Sequence, residues 1–295
     1  NLSGHINYTY TPDQKALERF LEPTASAVFQ GYPRPDGRAG TRNELWIVPT
    51  VGCVNQTAQR LAAEAKRRFA SRFDDVCAFP HNLGCSQLGD DQATTMKLLA
   101  GLIRNPNAGG VLVLSLGCEN NNLEVFRPYL GDVDPNRIKF LVTQDVEDEY
   151  EAEMALLEEL DKAVGGMARR PVPVSKLSIG FKCGGSDAFS GLTANPLCGR
   201  LCDRVIQAGG SCVLTEVPEM FGAEHLLMAR CVNEGVFAQT VDLINDYKDY
   251  FTRYGQVIYE NPSPGNKAGG ISTLEEKSLG CVQKGGSAPV TGVLG

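Results

Sequence analysis

The spacing of apolar and polar residues along the chain alternates between a strand-like and a helix-like pattern. Short apolar runs are typical of buried strands, whereas apolar residues three or four positions apart are typical of amphipathic helices. The run at 110–116 (GVLVLSL) is the clearest strand, because it is short and continuously apolar. The pattern predicts strands at 44–51, 75–79, 110–116, 138–143, 176–181 and 211–217.

Helical spacing fills the intervals between these strands. The predicted helices cover 55–73, 94–104, 145–161, 195–208 and 222–254. Strands that alternate with helices in this way indicate βαβ units. The predicted fold class is therefore α/β, with two lobes of alternating strands and helices and largely parallel sheets.

Loop composition and chain length predict where these lobes begin and end. The segment 31–42 (GYPRPDGRAGTR) has no apolar period, and prolines interrupt the pattern at 171–174. The 295 residues suit two domains at about 100–200 residues each. We therefore predict a lead-in linker at 1–30, a first lobe at 31–168 and a second lobe at 169–295.

Charge and composition narrow the function classes. The chain carries 28 Lys and Arg against 35 Asp and Glu, a net charge of −7, which argues against a nucleic-acid partner. The apolar run at 111–116 is far shorter than the roughly 20 residues of a membrane helix, so no membrane association is expected. Ten cysteines are scattered without a C-x-x-C motif, which argues against disulfide and zinc-ribbon scaffolds and predicts reduced thiols in a cytoplasmic protein.

Cysteines recur where predicted strands end. Cys53, Cys118 and Cys183 each lie just beyond an apolar run, and Cys85 lies in a glycine-containing loop. Ligands of open α/β sheets bind outside the carboxyl ends of the strands. Thiols at such positions could bind a soft metal or act as nucleophiles. The alternative is that cysteine is a small residue tolerated at tight turns.

Two further loop residues are candidates for chemistry. His81 lies shortly before Cys85, where an imidazole could ligate a metal or transfer a proton near neutral pH; alternatively it caps a turn. Lys267 lies in NPSPGNKAGG, where a lysine beside exposed backbone N–H groups suits a carboxylate ligand.

Longer motifs extend over nearly the whole chain from residue 31. They are GYPRPDGRAGTRN (31–43), LGCENN (116–121), FKCGGSDAFSGLTANP (181–196), EVPEMFGAEH (216–225) and NPSPGNKAGGISTLEEKSLG (261–280). In length and order these segments resemble the altronate/galactarate dehydratase family. The resemblance implies a hydro-lyase that converts a sugar acid such as D-altronate to a 2-keto-3-deoxy sugar acid. It also implies a divalent metal, Fe²⁺ before Mn²⁺ or Mg²⁺, an SAF-type domain before residue 1 and a further C-terminal region.

Dehydration of a 2,3-dihydroxy acid requires removal of the C2 proton and protonation of the departing C3 hydroxyl. Within the resemblance, we assign His81 as acid or base, and Lys267 with Asn266 to the substrate carboxylate. The complete hypothesis has His81 and Lys267 as catalytic residues, Asn120, Ser186 and Asn266 as substrate-binding residues, and Cys85, Cys118, Glu119, Cys183 and Asp187 as metal or metal-supporting residues.

Other functions stay open at this point. Within the same chemistry, the alternatives are galactarate dehydratase and sulfolactate sulfo-lyase, which eliminates sulfite. From other classes, the alternatives are an iron–sulfur electron-transfer protein and a non-catalytic scaffold. The expected partners are a small sugar acid and further copies of the chain in a homo-oligomer.

Overall fold

The computed structural model describes residues 4–20, 23 and 26–294. The strands are β1 (Val28–Pro33), β2 (Ala39–Gly40), β3 (Glu44–Pro49), β4 (Asp75–Ala78), β5 (Ala108–Ser115), β6 (Ile138–Val142), β7 (Arg170–Pro173), β8 (Ser178–Phe181) and β9 (Ser211–Leu214). The helices are α1 (Gln14–Glu18), α2 (Asn55–Arg68), α3 (Gly89–Ile103), α4 (Leu123–Leu130), α5 (Glu149–Val164), α6 (Ala194–Gln207), α7 (Glu224–Met228), α8 (Glu234–Arg253), α9 (Pro264–Ala268) and α10 (Leu274–Cys281).

The chain divides into two compact units, which we name by their main content. The sheet unit comprises Phe29–Val172. The helix unit comprises Asn1–Val28 together with Pro173–Gly295. Residues 1–28 thus group with the C-terminal half of the chain. Across the described residues, no helix is long and apolar enough to cross a membrane.

A four-stranded parallel sheet in the order β4-β3-β5-β6 forms the centre of the sheet unit. Strand β5 is buried along its whole length, as its continuous apolar sequence predicts. Alternate residues of β3 enter two different cores: Leu45 and Ile47 pack with α2 and α5, whereas Trp46 and Val48 pack with α3 and α4. Helices therefore cover both faces of this sheet, and the predicted α/β class with parallel strands is confirmed.

The helix unit has a smaller sheet and more helical packing. Strands β8 and β9 pair in parallel, as their predicted positions require. The helical region predicted at 222–254 consists of two helices, α7 and α8, rather than one. Asn233 begins α8 by accepting a hydrogen bond from the Val236 N–H, and neighbouring Cys231 pairs with Val290. This N-cap and bridge interrupt the helix.

The segment that precedes β1 packs against α8 within the helix unit. The Ile6 N–H donates to Asn245 Oδ1 at 2.8 Å, and Asn245 Nδ2 donates back to the Ile6 carbonyl. His5 contacts Asp249 at 2.6 Å, and the buried Lys248 donates to the Gly4 carbonyl. No regular strand forms over 5–10, and the backbone of Ile6 bonds to a helix side chain in place of a neighbouring strand.

Candidate functional site

Three adjacent strands of the parallel sheet lead into loops that each contain a Gly-Cys pair. Cys53 follows β3, Cys85 follows β4 and Cys118 follows β5. All three cysteines are exposed. The carboxyl ends of parallel strands lie at one edge of a sheet, so the three loops share the edge at which ligands of open α/β sheets bind.

Hydrogen bonds join these three loops to one another. The Gly52 N–H donates to the Leu83 carbonyl at 3.0 Å, which links the first loop to the second. The second and third loops are linked by the Ser86 N–H, which donates to Asn120 Oδ1 at 2.9 Å, and by the Asn121 N–H, which donates to the Gly84 carbonyl at 3.2 Å.

The close approach of the loops explains why glycine precedes two of these cysteines. Gly84 has φ +98°, and a Cβ on it would collide with the Thr50 carbonyl oxygen. Gly117 has φ +125°, a conformation that L side chains rarely adopt. A larger residue at position 84 would push the second loop away from the first, and one at position 117 would strain the backbone.

Glu119 points into the sheet unit and is only 3% exposed. Its carboxylate accepts hydrogen bonds from the Thr50 and Ser115 hydroxyls, both at 2.6 Å, and from the backbone N–H groups of residues 116 and 117. Burial alone would raise the pKa of Glu119, but these hydrogen bonds outweigh it and hold the pKa below its usual value. Oε1 of Glu119 thus accepts three hydrogen bonds and Oε2 accepts one.

Both ring nitrogens of His81 contact the backbone. Nε2 lies 2.8 Å from the Pro49 carbonyl oxygen, and the Leu83 N–H donates to Nδ1 at 3.2 Å. Because a carbonyl can only accept, the proton of the neutral ring lies on Nε2, and Nδ1 is the acceptor. The Asn55 side chain exchanges two hydrogen bonds with the His81 backbone and fixes the position of this residue.

The remaining candidates lie in the helix unit, on two segments held together. Asn266 Nδ2 donates to the Ser186 carbonyl at 2.9 Å, and the Ala188 N–H donates to the Gly269 carbonyl at 3.0 Å. These bonds attach the short helix α9, which carries Lys267, to the loop that follows β8. The sequence-predicted residues Ser186, Asp187, Asn266 and Lys267 are therefore neighbours.

The side chains of this loop are largely engaged with one another. Cys183 Sγ lies 3.1 Å from Ser186 Oγ, and the Cys183 N–H donates to Glu216 at 2.6 Å. Asp187 Oδ1 accepts from both the N–H and the hydroxyl of Ser190. These Ser190 hydrogen bonds lower the pKa of Asp187 below its usual value. Lys267 is exposed.

A buried ionic network, which the sequence analysis missed, lies beneath this loop. Lys277 Nζ is 3.2 Å from Glu219 and 2.9 Å from Asn261 Oδ1. The second lysine, Lys284, has its Nζ 3.5 Å from Glu219 and 3.4 Å from Glu216. Both lysines and Glu219 are less than a tenth exposed.

The network shifts the pKa values of Glu219 and the neighbouring Cys281 in opposite directions. Burial alone would raise the pKa of Glu219, but a hydrogen bond from Cys281 and the charges of the two lysines bring it below its usual value. Burial and the Glu219 carboxylate raise the pKa of the Cys281 thiol to about 12. Cys281 is therefore a protonated thiol at neutral pH.

Two small pockets border this network. One is lined by Phe181, Leu214, Glu216, Glu219, Cys281 and Lys284. The other is lined in part by Ser186, Asp187, Ser190, Asn195, Glu276 and Lys277, together with apolar surface that includes Ile271. The second pocket thus combines hydroxyl, amide and ammonium groups with the carboxylates of Asp187 and Glu276.

The helical spacing of α10 contains a sequence signal for the burial of Lys277. Leu274, Lys277, Ser278 and Cys281 are buried on one face of α10, whereas Glu275 and Glu276 are exposed. A lysine at an otherwise apolar position of an amphipathic helix indicates a buried charge, which needs a partner.

The five proposed metal residues are divided between the two units. Cys85, Cys118 and Glu119 belong to the sheet unit, and Cys183 and Asp187 belong to the helix unit. Within 4–20, 23 and 26–294, no three side chains of His, Cys, Asp or Glu form a group that could hold a metal ion. The metal assignment of these five residues therefore stays a prediction.

Comparisons with known proteins cover both units. Residues 31–165 match the model for the second domain of D-galactarate dehydratase/altronate hydrolase, and residues 174–295 match the D-galactarate/altronate dehydratase C-terminal model. The chain is 57% identical to altronate dehydratase of Bacillus subtilis (strain 168) and 51% identical to altronate dehydratase of Escherichia coli (strain K12), in each case over 100% of this chain and 59% of the relative. It is 32% identical to galactarate dehydratase (L-threo-forming) of Escherichia coli (strain K12), over 93% of this chain and 55% of that protein.

The chain thus spans about three fifths of the length of the altronate dehydratases that it matches. The two matched domain models follow one another along the sequence and together cover most of it. The chain belongs to the altronate/galactarate dehydratase family.

Proposed function

We propose that the protein to which this chain belongs is a hydro-lyase that dehydrates a sugar acid to a 2-keto-3-deoxy sugar acid. D-altronate is the substrate that we propose first. The observation that carries this proposal is the 57% identity to an altronate dehydratase along the entire chain. The lower identity to a galactarate dehydratase, 32%, favours a hexonate over a hexarate substrate. We further propose a cytoplasmic homo-oligomer whose partner is this small substrate.

Within the helix unit, we assign the substrate carboxylate to the exposed helix α9 beside the second pocket. Lys277 borders this pocket but is paired with Glu219, so the exposed Lys267 of α9 is the positive charge that suits a carboxylate. Ser186, whose hydroxyl contacts only the Cys183 thiol among the described groups, supplies a donor for a substrate hydroxyl. Asn266 is instead engaged with Ser263, Ser186 and Lys277, so its role is to position the loop.

His81 remains our candidate for proton transfer. Its Nδ1 accepts a 3.2 Å hydrogen bond from the Leu83 N–H, so this atom is the ring nitrogen able to take a proton. Asn120 contacts the second loop through Oδ1, and its amide N–H groups suit a substrate hydroxyl.

Metal assistance by Fe²⁺, Mn²⁺ or Mg²⁺ stays a prediction, and we assign it no step. Oε1 of Glu119 accepts three hydrogen bonds from protein donors, and Oδ1 of Asp187 accepts two from Ser190. Neither is free to replace these partners without loss of a hydrogen bond.

The test is a substrate panel with the full-length protein. Hexonates, hexarates and sulfolactate are incubated with the enzyme and added Fe²⁺, and 2-keto-3-deoxy products and sulfite are measured. We expect the highest kcat/KM for D-altronate. Preference for galactarate, or release of sulfite from sulfolactate, would transfer the assignment to the corresponding alternative; no turnover of any acid would favour the scaffold.

A further inference from the structure

We propose that Cys212 of the helix unit is a site of thiol–disulfide exchange, where a small disulfide such as oxidised glutathione is reduced and Cys212 becomes joined to Cys202. The observation that carries this proposal is a direct contact between the two thiols, whose side chains share a hydrogen bond. Cys202 lies on α6, and Cys212 lies on β9, which follows α6 after a short turn. The proposal does not rest on the proposed dehydratase function.

The packing of α6 on β9 places the two sulfur atoms side by side. Cys212 Sγ lies 4.0 Å from the carbonyl oxygen of Cys202, so the strand thiol sits against the helix turn that carries its partner. A disulfide requires the sulfurs to close to about 2.05 Å. Among the described residues β9 pairs only with β8, so a small shift of β9 towards α6 meets no second neighbouring strand.

The two thiols differ in exposure and in proton affinity, which assigns their roles. Cys202 is 2% exposed, whereas Cys212 is partly exposed and can meet a small disulfide. The hydrogen bond from Cys202 lowers the pKa of the Cys212 thiol below its usual value, although burial opposes it. The same hydrogen bond, together with burial, raises the pKa of Cys202. Because the thiolate is the attacking form, Cys212 attacks first and Cys202 resolves.

The exchange proceeds in two balanced steps. The Cys212 thiolate attacks one sulfur of the small disulfide, which forms a mixed disulfide and releases one small thiolate. This thiolate takes the proton of Cys202, whose sulfur then attacks the Cys212 sulfur and releases the second small thiolate. Two protein sulfurs are thus oxidised while one small disulfide is reduced. The first step removes the negative charge of Cys212, which is one cause of the raised pKa of Cys202, so Cys202 ionises more readily for the second step.

Cys198 provides a matched comparison on the same helix. It lies one turn before Cys202 on α6 and is partly exposed, as Cys212 is. Within the described part of the chain, its thiol makes no hydrogen bond to a second thiol, in contrast to Cys212. Exposure alone would therefore make Cys198 and Cys212 equally reactive, whereas the paired thiol favours Cys212.

The first test maps disulfides in the full-length protein. The reduced protein is incubated without oxygen with oxidised glutathione, remaining thiols are blocked with iodoacetamide, and the peptides are identified by mass spectrometry. We expect a cross-link between Cys202 and Cys212 that dithiothreitol reverses. A wild type without this cross-link would overturn the proposal.

Single variants then separate the two roles. C202A should stop after the first step and carry glutathione on Cys212, C212A should leave Cys202 unmodified, and C198A should form the cross-link as the wild type does. Glutathione on Cys202 in C212A, or equal amounts on Cys198 and Cys212 in C202A, would overturn the proposal.

The pH dependence of alkylation by iodoacetamide tests the hydrogen bond itself. The midpoint for Cys212 should lie at higher pH in C202A than in the wild type, because the donor to its thiolate is lost. C202S, whose hydroxyl can still donate and which preserves the buried volume more closely, should carry glutathione on Cys212 and keep a midpoint near that of the wild type. Far-ultraviolet circular dichroism checks that both variants fold. A folded C202A with an unchanged midpoint, or a folded C202S without glutathione on Cys212, would overturn the assigned roles.

Discussion

The two units stabilise their buried carboxylates in different ways. In the sheet unit, Glu119 is surrounded by neutral donors: two hydroxyls and two backbone N–H groups. In the helix unit, Glu219 is held by the ammonium groups of Lys277 and Lys284. The first arrangement keeps local charge low and depends on loop geometry, whereas the second depends on paired charges. Substitutions should therefore disturb the sheet unit through geometry and the helix unit through charge.

The largest effect that we expect concerns His81 in the sheet unit. If Nδ1 takes the substrate proton, His81→Asn in the full-length enzyme should lower kcat by about 10²–10⁴-fold, the usual contribution of general acid–base catalysis. His225→Asn, at an exposed histidine of α7, is the control and should leave kcat unchanged. Full turnover in His81→Asn, together with a lower free energy of unfolding, would assign His81 to turn capping.

Charge pairing in the helix unit should make Glu219 critical for stability. Glu219→Gln leaves two buried ammonium groups with only Glu216 as a charged partner. Removing one partner of a buried ion pair costs about 3–5 kcal/mol, so we expect a loss of this size in urea unfolding. Glu275→Gln, at an exposed position of α10, should change stability far less. Equal effects of the two substitutions would refute the role of pairing.

Much of the sheet unit could be predicted from the sequence, because its signals are local. The apolar run of β5 and the loop cysteines are visible in short windows of sequence. The ionic network could not be predicted in this way, since Glu216, Glu219, Lys277 and Lys284 meet only when distant segments pack together. The same applies to the bonds between Ile6 and Asn245, which join the first residues to α8.

Glu153 is a third buried carboxylate. Among the described residues, its Oε1 has neither the neutral donors that surround Glu119 nor the ammonium groups that hold Glu219. It lies on α5 and is 1% exposed, and its Oε1 contacts no donor among the described residues. Burial, with a smaller effect of Glu149, raises its pKa from 4.5 to about 7. Because folding raises the pKa of Glu153, its protonated carboxyl contributes fully to the stability of the fold below pH 4.5. This contribution is lost as the pH rises through 7.

Glu153→Gln should therefore remove this pH dependence. At pH 8 we expect the free energy of unfolding to exceed that of the wild type by up to about 3 kcal/mol, the value of the full shift. At pH 5 the two proteins should be close to equal. Urea unfolding at both pH values measures the difference, with the exposed Glu151→Gln as control. A variant less stable than the wild type at pH 8 would contradict this account.

Exposed charge in the helix unit should affect binding rather than stability. A lysine that only anchors the substrate carboxylate interacts equally with ground and transition states, so Lys267→Ala should raise KM and leave kcat nearly unchanged. A charge-assisted hydrogen bond contributes about 1.5–3 kcal/mol, which corresponds to a roughly 10- to 150-fold increase in KM. Lys176→Ala is the matched exposed control. Loss of kcat with unchanged KM would instead make Lys267 the acid or base.

The smallest effect tests whether geometry governs the loops of the sheet unit. Ser86 has φ +58°, a left-handed conformation that strains an L residue by about 1–2 kcal/mol. Ser86→Gly removes this strain and keeps the N–H that bonds to Asn120, but it also gives the unfolded chain more freedom, at about 0.4–1 kcal/mol. We expect a net stabilisation of up to about 1 kcal/mol. Ser71→Gly, at an exposed serine without a positive φ, lacks the strain term and should lower the unfolding midpoint in urea. Opposite signs for these two glycine substitutions would demonstrate that backbone conformation, rather than loss of the hydroxyl, determines the stability of the Cys85 loop.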